Sequence, residues 1–119
     1  MSEDKTLTGG CLCGSVRFEL SGSPNKVGTC HCRQCQRWSG SVFSVGARYP
    51  ESAFRMTSGK MKVYRSEIME RGFCTECGSP FIYWYLVKEM NSGNVWVSLG
   101  TLDEPEQFKP TYHISVSTA

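Results

Sequence analysis

Cys30-His31-Cys32-Arg33-Gln34-Cys35 places three cysteines within six residues. The other four of the chain's seven cysteines form two distant pairs, Cys11-Leu12-Cys13 and Cys74-Thr75-Glu76-Cys77. A Cys-x-Cys pair joined to a Cys-x-x-Cys pair supplies four thiolates, which is the complete ligand set of a structural zinc site. Three thiolates leave one position open, as the protein ligands of a catalytic zinc site do. The spacing therefore predicts one closed structural site and one open site at the central cluster.

Length, composition and charge are those of an ordinary single-domain globular protein. The chain has 119 residues, of which 39% are hydrophobic and 20% are charged. No apolar run approaches the roughly 18 residues of a membrane span, and the net charge of +2 comes from interleaved signs. We therefore expect neither a membrane nor nucleic acid as a partner, and we expect a cytoplasmic location. A reducing compartment favours metal binding by clustered cysteines over disulfides.

The apolar pattern predicts a mostly β fold with one short helix at the three-cysteine cluster. Residues 1–8 are polar and are predicted to form a flexible tail, followed by a single domain over residues 9–119. The segment from Cys32 to Trp38 tolerates a helical turn that Ser39-Gly40 would end. Residues 65–72 are interpreted as a charged connection. Alternating or β-branched patterns predict strands at residues 16–20, 41–47, 54–56, 61–64, 81–86, 95–99 and 112–116.

A four-thiolate zinc site at Cys11, Cys13, Cys74 and Cys77 would tie the first predicted strand to the late hairpin. Structural zinc in small peptides binds with an apparent energy on the order of 10 kcal/mol, which is comparable to the whole stability of such a domain. Loss of the metal should therefore threaten the fold. The alternative is that these cysteines are buried free thiols that act as small apolar side chains.

The three-cysteine cluster has a different chemical consequence. Zinc with three thiolates carries a formal charge of −1, so it activates water weakly. An open, soft coordination position prefers another thiolate. We therefore predict that the cluster binds a thiol substrate for adduct chemistry at a carbonyl carbon, rather than for hydrolysis. The alternatives are inert thiols or a second closed site, with His31 or His113 as the fourth ligand.

The cysteine motifs, taken in order, resemble the glutathione-dependent formaldehyde-activating enzyme family, also called the Gfa or centromere-protein-V-type domain. The resemblance covers roughly residues 9–114. It implies a β-rich, Mss4-like fold, two zinc positions and carbon–sulfur lyase activity. The motifs are Gly10-Cys11-Leu12-Cys13-Gly14, Cys30-His31-Cys32-Arg33-Gln34-Cys35 with Ser39-Gly40, Phe73-Cys74-Thr75-Glu76-Cys77-Gly78 and Pro110-Thr111-Tyr112-His113-Ile114.

The resemblance also implies residue roles. The structural zinc ligands fall on Cys11, Cys13, Cys74 and Cys77, and the catalytic zinc ligands fall on Cys30, Cys32 and Cys35. In the family's founding activity, glutathione binds near the second zinc as a thiolate and attacks formaldehyde, which gives S-hydroxymethylglutathione. Arg33 and Arg37 are candidates to contact glutathione carboxylates. Three aromatic residues are candidates for either pocket wall or core: Trp38, Phe43 and Trp84.

Two other functions compete with the lyase. In the first, both cysteine clusters are structural, and the chain is a zinc-stabilised, non-enzymatic binding module. In the second, the chain reduces methionine sulfoxide, but that chemistry needs a free cysteine nucleophile and none remains after a four-plus-three division. Metal stoichiometry and the ligand count at the second site distinguish the lyase from the binding module.

Overall fold

The computed structural model describes residues 5–87 and 93–108, and the backbone of residues 113 and 114. Within these parts of the chain there is one α-helix, α1 (Arg33–Ser39), and there are three short 3-10 helices, Glu51–Ala53, Leu99–Thr101 and Pro105–Gln107. None of the described helices is long and apolar enough to cross a membrane. The strands are β1 (Thr6–Gly10), β2 (Arg17–Ser21), β3 (Lys26–Cys30), β4 (Ser44–Pro50), β5 (Phe54–Ser58), β6 (Met61–Arg65), β7 (Met69–Cys74), β8 (Pro80–Tyr85), β9 (Asn94–Ser98) and β10 (His113–Ile114).

The strands form two sheets. The smaller has three strands in the order β1-β2-β5, and the larger has seven in the order β10-β3-β4-β9-β8-β7-β6. Every neighbouring pair is antiparallel except β10 and β3, which are parallel. The prediction of a mostly β fold with one short helix is therefore confirmed, whereas the organisation into a single domain stays a prediction.

The core lies between the two sheets. Phe18 of β2 stacks on Phe81 of β8 with ring centroids 5.7 Å apart, and both rings are fully buried. Phe54 of β5 joins them at 5.2 Å from Phe18. Stacked or tilted aromatic pairs at these distances contribute about 0.5–1.5 kcal/mol each beyond the area they bury. These rings fix the smaller sheet on the larger one.

Two predicted segments have the wrong boundaries because buried residues lie inside polar sequence. The predicted tail over residues 1–8 is wrong for residues 6–8, since β1 begins at Thr6 and pairs along β2 with Leu7 buried. The predicted charged connection over residues 65–72 is wrong from Met69 onward. Strand β7 lies between β6 and β8, and both Met69 and Arg71 are buried. A half-buried strand is recognised by alternating apolar and polar residues, and this pattern is lost where an arginine occupies a buried position.

The strand predicted over residues 41–47 begins later than expected. Strand β4 starts at Ser44, where it pairs with Cys30 of β3, and it continues through Pro50. Val42 and Phe43 are exposed and lie outside it, because the chain is still turning after Gly40 ends α1 in the left-handed region. Strands are confirmed near residues 16–20, 54–56, 61–64, 81–86 and 95–99, and β10 confirms the 113–114 part of the last predicted strand, whose other residues lie outside the described ones.

Gly59 takes the chain from one sheet to the other. Strand β5 pairs with β2 in the smaller sheet, whereas β6 pairs with β7 in the larger one. Gly59 has a φ of +85°, and a Cβ at this position would lie 2.3 Å from the carbonyl oxygen of Ser15. Both the backbone angle and the close approach exclude a side chain here.

Gly59→Ala is expected to destabilise the domain by about 2–4 kcal/mol, because left-handed strain adds to a backbone clash. Gly22→Ala is the matched control, since Gly22 has a φ of +79° but nothing within 4 Å of its Cβ position. We expect the control to lose only about 1–2 kcal/mol, the strain alone. Chemical denaturation of both variants measures the difference, and equal losses would show that the contact with Ser15 contributes nothing.

Candidate metal centres

The predicted four-cysteine site is formed by two turns, one after β1 of the smaller sheet and one between β7 and β8 of the larger sheet. Cys11 and Cys13 follow β1, whereas Cys74 ends β7 and Cys77 lies in the turn before β8. All four sulfurs lie within 4.8 Å of one another. Two of the separations are 3.6 Å, between Cys11 and Cys13, and 3.9 Å, between Cys13 and Cys74. Tetrahedral zinc with bonds of about 2.3 Å requires sulfurs about 3.8 Å apart, so the donor set fits this ion.

Backbone amides already point at the sulfurs of this site. The Val16 N–H donates to Cys11 Sγ at 3.3 Å. The N–H groups of Glu76 and Cys77 donate to Cys74 Sγ at 3.3 and 3.4 Å. Hydrogen bonds to a charged acceptor stabilise the thiolate form, which is the form that binds a metal.

Two serine hydroxyls belong to the site, and they were not predicted. Ser15 Oγ lies 3.2 Å from the sulfurs of both Cys13 and Cys74. Ser79 Oγ accepts from the Leu12 N–H at 3.1 Å and lies 3.1 Å from Cys77 Sγ, and its hydrogen bond to that sulfur lowers the pKa of Cys77 to about 5. The signal in the sequence is a repeated tripeptide: each outer cysteine pair ends in Cys-Gly-Ser. Both glycines, Gly14 and Gly78, have positive φ.

The three-cysteine cluster is formed at the junction of β3 and α1. Cys30 ends β3, Cys32 is the N-cap of α1, and Cys35 lies inside the helix. Their sulfurs lie within 4.8 Å of one another, with 3.2 Å between Cys30 and Cys35. Cys30 and Cys35 are buried, whereas Cys32 is partly exposed. The cluster is therefore accessible from the Cys32 side.

No fourth protein ligand completes this cluster among the residues whose side chains are described. The three sulfurs form a group without any histidine or carboxylate. The His31 ring instead packs against Phe43, with centroids 5.6 Å apart. The side chain of His113, the other candidate, lies outside the described residues. The donor set thus fits a metal that keeps an exchangeable position.

The contact between Cys30 and Cys35 shifts the pKa values of the two thiols in opposite directions. Their sulfurs lie 3.2 Å apart, and this interaction lowers the pKa of Cys35 to about 5, while the positive charge of Arg71 acts in the same direction. The same contact and burial raise the pKa of Cys30. The helix adds a further interaction, since the Cys35 N–H donates to Cys32 Sγ at 3.3 Å.

Two open cavities flank α1. The first, of about 370 Å³, is lined by Arg33, Gln36, Arg37, Gly40, Ser41 and Val42. The second, which we call the Arg71 cavity, has about 350 Å³ and is lined by Gln34, Arg37, Trp38, Tyr64, Ser66 and Arg71. The two arginines predicted from the sequence therefore lie together at the first cavity, and Arg37 borders both.

The three aromatic candidates divide between the two predicted roles. Trp38 lines the Arg71 cavity, where it stacks on Tyr64 with centroids 6.2 Å apart. Trp84 packs against the core and donates its indole N–H to Glu70 at 3.0 Å. Phe43 is partly exposed beside His31. Among the three, only Trp38 lines one of the two cavities beside α1.

Sequence reasoning also missed Arg71, which is 3% exposed and close enough to the cluster for its charge to act on Cys35. The stretch Arg65–Arg71 contains two arginines and two glutamates, so nothing in it distinguishes a buried arginine from a solvated one. Its burial follows from the position of β7 between two neighbouring strands.

Comparison with known proteins assigns the chain to a family. The sequence matches a family model described as "Glutathione-dependent formaldehyde-activating enzyme" over residues 6–118, nearly its full length. The chain belongs to this family. Membership confirms the resemblance drawn from the cysteine motifs. The matched residues include both cysteine groups.

One curated protein is similar to this chain in sequence, and one solved structure is similar to it in fold. An uncharacterized lyase of Schizosaccharomyces pombe is 27% identical over 77 residues, which cover 65% of this chain and 56% of that protein. The match thus spans little more than half of the curated relative. A crystal structure of a Rhodobacter sphaeroides protein superposes with a TM-score of 0.70 at 20% identity, and the match covers 90% of this chain and 99% of the other. The structural likeness shows a shared fold.

Proposed function

We propose that the domain is a zinc-dependent carbon–sulfur lyase of the glutathione-dependent formaldehyde-activating type. Its substrate is a small thiol such as glutathione, and its reaction joins the thiol sulfur to the carbon of formaldehyde. The observation that carries the proposal is the three-cysteine cluster, in which no fourth described side chain joins the three sulfurs. Family membership and the name of the Schizosaccharomyces pombe relative, an uncharacterized lyase, support the reaction class.

The grouping of the sulfurs supports the proposed roles of the cysteines. Cys11, Cys13, Cys74 and Cys77 hold a structural zinc ion, and Cys30, Cys32 and Cys35 hold a catalytic one. When bound by three thiolates, zinc supplies an exchangeable position that prefers a soft sulfur donor. Cys32, the partly exposed member, lies on the side from which a substrate would arrive.

The chemical step needs no further reactant. The substrate thiol loses its proton, and its sulfur forms a bond to the carbonyl carbon of formaldehyde. The π electron pair of the C=O bond moves to the oxygen, which takes up a proton, and S-hydroxymethylglutathione results. The reverse step breaks the same carbon–sulfur bond, which is the lyase direction.

Arg33 and Arg37 are proposed to contact the carboxylates of glutathione. Both guanidinium groups are exposed and line the cavity of about 370 Å³ beside α1. Arginine binds carboxylates through two parallel N–H donors, which gives orientation as well as affinity. Arg33 also donates to Gln36 one turn along the helix, an interaction that orients its side chain over this cavity.

The test is a titration of cobalt-substituted protein with glutathione. A sulfur that joins the three-cysteine cluster adds a sulfur-to-cobalt charge-transfer band, so we expect a saturable rise in absorbance. S-methylglutathione is the matched control, because its sulfur cannot become a thiolate and should give no rise. The rate of exchange between free formaldehyde and S-hydroxymethylglutathione, measured by NMR, then tests catalysis, since an enzyme raises this rate without moving the equilibrium.

The non-enzymatic binding module is the outcome in which neither signal changes. A cobalt spectrum that is the same with glutathione and with S-methylglutathione would show that no substrate sulfur enters the cluster. Both clusters would then be structural, and the exchange rate would equal that without protein.

A further inference from the structure

Arg71 is a buried cation without a carboxylate partner among the described residues. Its side chain is 3% exposed, and its guanidinium donates one N–H to the sulfur of Met69 at 3.2 Å. The described ion pairs are Arg17 with Asp103 and Arg55 with Glu19, and neither involves Arg71. A thioether is a weak acceptor, and a buried charge is costly unless an opposite charge compensates for it. The charge of Arg71 also acts on Cys35 of the cluster, but among the described residues its guanidinium has no anionic hydrogen-bond acceptor.

Two aromatic rings hold the guanidinium in place. Its central carbon lies 5.7 Å from the Trp38 ring centre and 5.6 Å from the Tyr83 ring centre. Ring faces attract a cation by about 0.5–2 kcal/mol, but they do not accept the in-plane N–H donors of the guanidinium fork. That fork matches a carboxylate, which accepts two parallel hydrogen bonds.

The Arg71 cavity, of about 350 Å³, has the lining that such a carboxylate needs. Arg71 and Arg37 provide positive charge, while Gln34 and Ser66 provide an amide and a hydroxyl. Trp38 and Tyr64, stacked at 6.2 Å, form an aromatic wall. None of the described lining residues is acidic. An anion with a short carbon chain or peptide body is the ligand class that fits these groups.

The cavity also lies next to the three-cysteine cluster. Trp38 follows Cys35 by three residues on α1, so their side chains occupy neighbouring positions on one face of the helix. Tyr83, which contacts Arg71, also lines a small space with Cys30. A thiol at the cluster would therefore have its remaining groups close to Arg71.

We propose that Arg71, together with Arg37, binds a carboxylate of the substrate thiol in the Arg71 cavity, so that Arg71 is a specificity-determining residue that favours thiols with a carboxylate over those without one. This inference rests on the proposed function, because the cluster is where the thiol sulfur binds. It assigns the carboxylate to a buried arginine and to a different cavity beside α1 from the one that Arg33 lines, with Arg37 bordering both.

The test compares three ligands on metal-loaded protein by calorimetry: glutathione, its diethyl ester, and S-methylglutathione. The ester keeps the thiol and lacks both carboxylates, whereas S-methylglutathione keeps both carboxylates and lacks the thiol. Arg71→Gln is expected to weaken glutathione binding about 10- to 100-fold, which is the size of a lost charge-assisted pair. The ester should bind both proteins alike. Arg71→Lys, which keeps the charge and loses the fork, should fall between.

Arg65→Gln is the matched control, because this substitution removes the same charge from the protein. Arg65 is an exposed residue of β6 and does not line the cavity. It should leave the affinity for glutathione within about twofold, since a solvated charge acts weakly at a distance. If Arg71→Gln weakens glutathione and its ester by the same factor, Arg71 only balances the charge of the cluster, and the proposal is wrong.

The same ligands separate this proposal from the proposed function. If glutathione and S-methylglutathione bind equally, the thiol contributes nothing and the proposed function fails. The affinity for S-methylglutathione then tests the carboxylate site by itself, and this affinity should still be lower in Arg71→Gln than in the unaltered protein. If Arg71→Gln does not fold, Arg37→Gln and the preference of the unaltered protein for glutathione over its ester decide instead. Absence of binding by every ligand overturns both proposals.

Discussion

Cys74→Ser is expected to unfold the domain at room temperature. The proposed zinc site to which Cys74 contributes would join the turn after β1, in the smaller sheet, to the turn between β7 and β8, in the larger one. Losing this cross-link removes a binding energy on the order of 10 kcal/mol, against a total stability of about 5–15 kcal/mol for a typical domain. Circular dichroism with thermal melts measures the loss.

Cys13→Ser separates the metal from packing. Cys74 is 1% exposed and belongs to the core, whereas Cys13 is exposed. Placing a hydroxyl in the core at Cys74 costs only about 1–3 kcal/mol by itself, so a metal cross-link predicts that both variants unfold. Unaltered protein stripped of metal by a chelator should melt as they do. A stable Cys13→Ser variant that still binds its full metal complement would contradict this prediction.

Cys32→Ser is expected to give the opposite result, a folded protein that has lost its second metal ion and its activity. Cys32 caps α1 by accepting the Cys35 N–H, and serine is among the best N-cap residues, so the helix should persist. The remaining two thiolates hold zinc poorly. We expect the zinc content to fall from about two ions to about one.

Elemental analysis and thermal melts of Cys32→Ser check both parts of the expectation. The melting temperature should stay close to that of the unaltered protein, while the acceleration of formaldehyde exchange disappears. Destabilisation as large as in Cys74→Ser would mean that the three-cysteine cluster is also a structural site, and this result would favour the binding module.

The metal centres were predictable because cysteine spacing is local information. Cys-x-Cys, Cys-x-x-Cys and the six-residue central cluster each place their own sulfurs together whatever the long-range topology. The joining of the two outer pairs was predicted from the four ligands that a closed site needs, and the structure brings each predicted group within 4.8 Å. The short helix was predictable for the same reason, since Gly40 ends it locally. Which ions bind and what they do there stay proposals.

The topology was less predictable because it depends on long-range pairing. Residues 54–56 and 61–64 were correctly predicted as strands, yet β5 and β6 belong to different sheets, and the local sequence did not show this change of sheet at Gly59. Arg71 was missed for a related reason. Its burial depends on the strands to either side of β7, and the local sequence around it is that of a solvated strand or loop.

The central claim is that seven sulfurs divide into a closed site and an open one, and zinc X-ray absorption of the metal-loaded protein tests it most directly. Without substrate, the average zinc ion should carry about 3.5 sulfur ligands and a light-atom remainder, and saturating glutathione should raise the average to about four. S-methylglutathione should leave it unchanged. A count that does not respond to glutathione, or an imidazole signature at the second ion, would contradict the account.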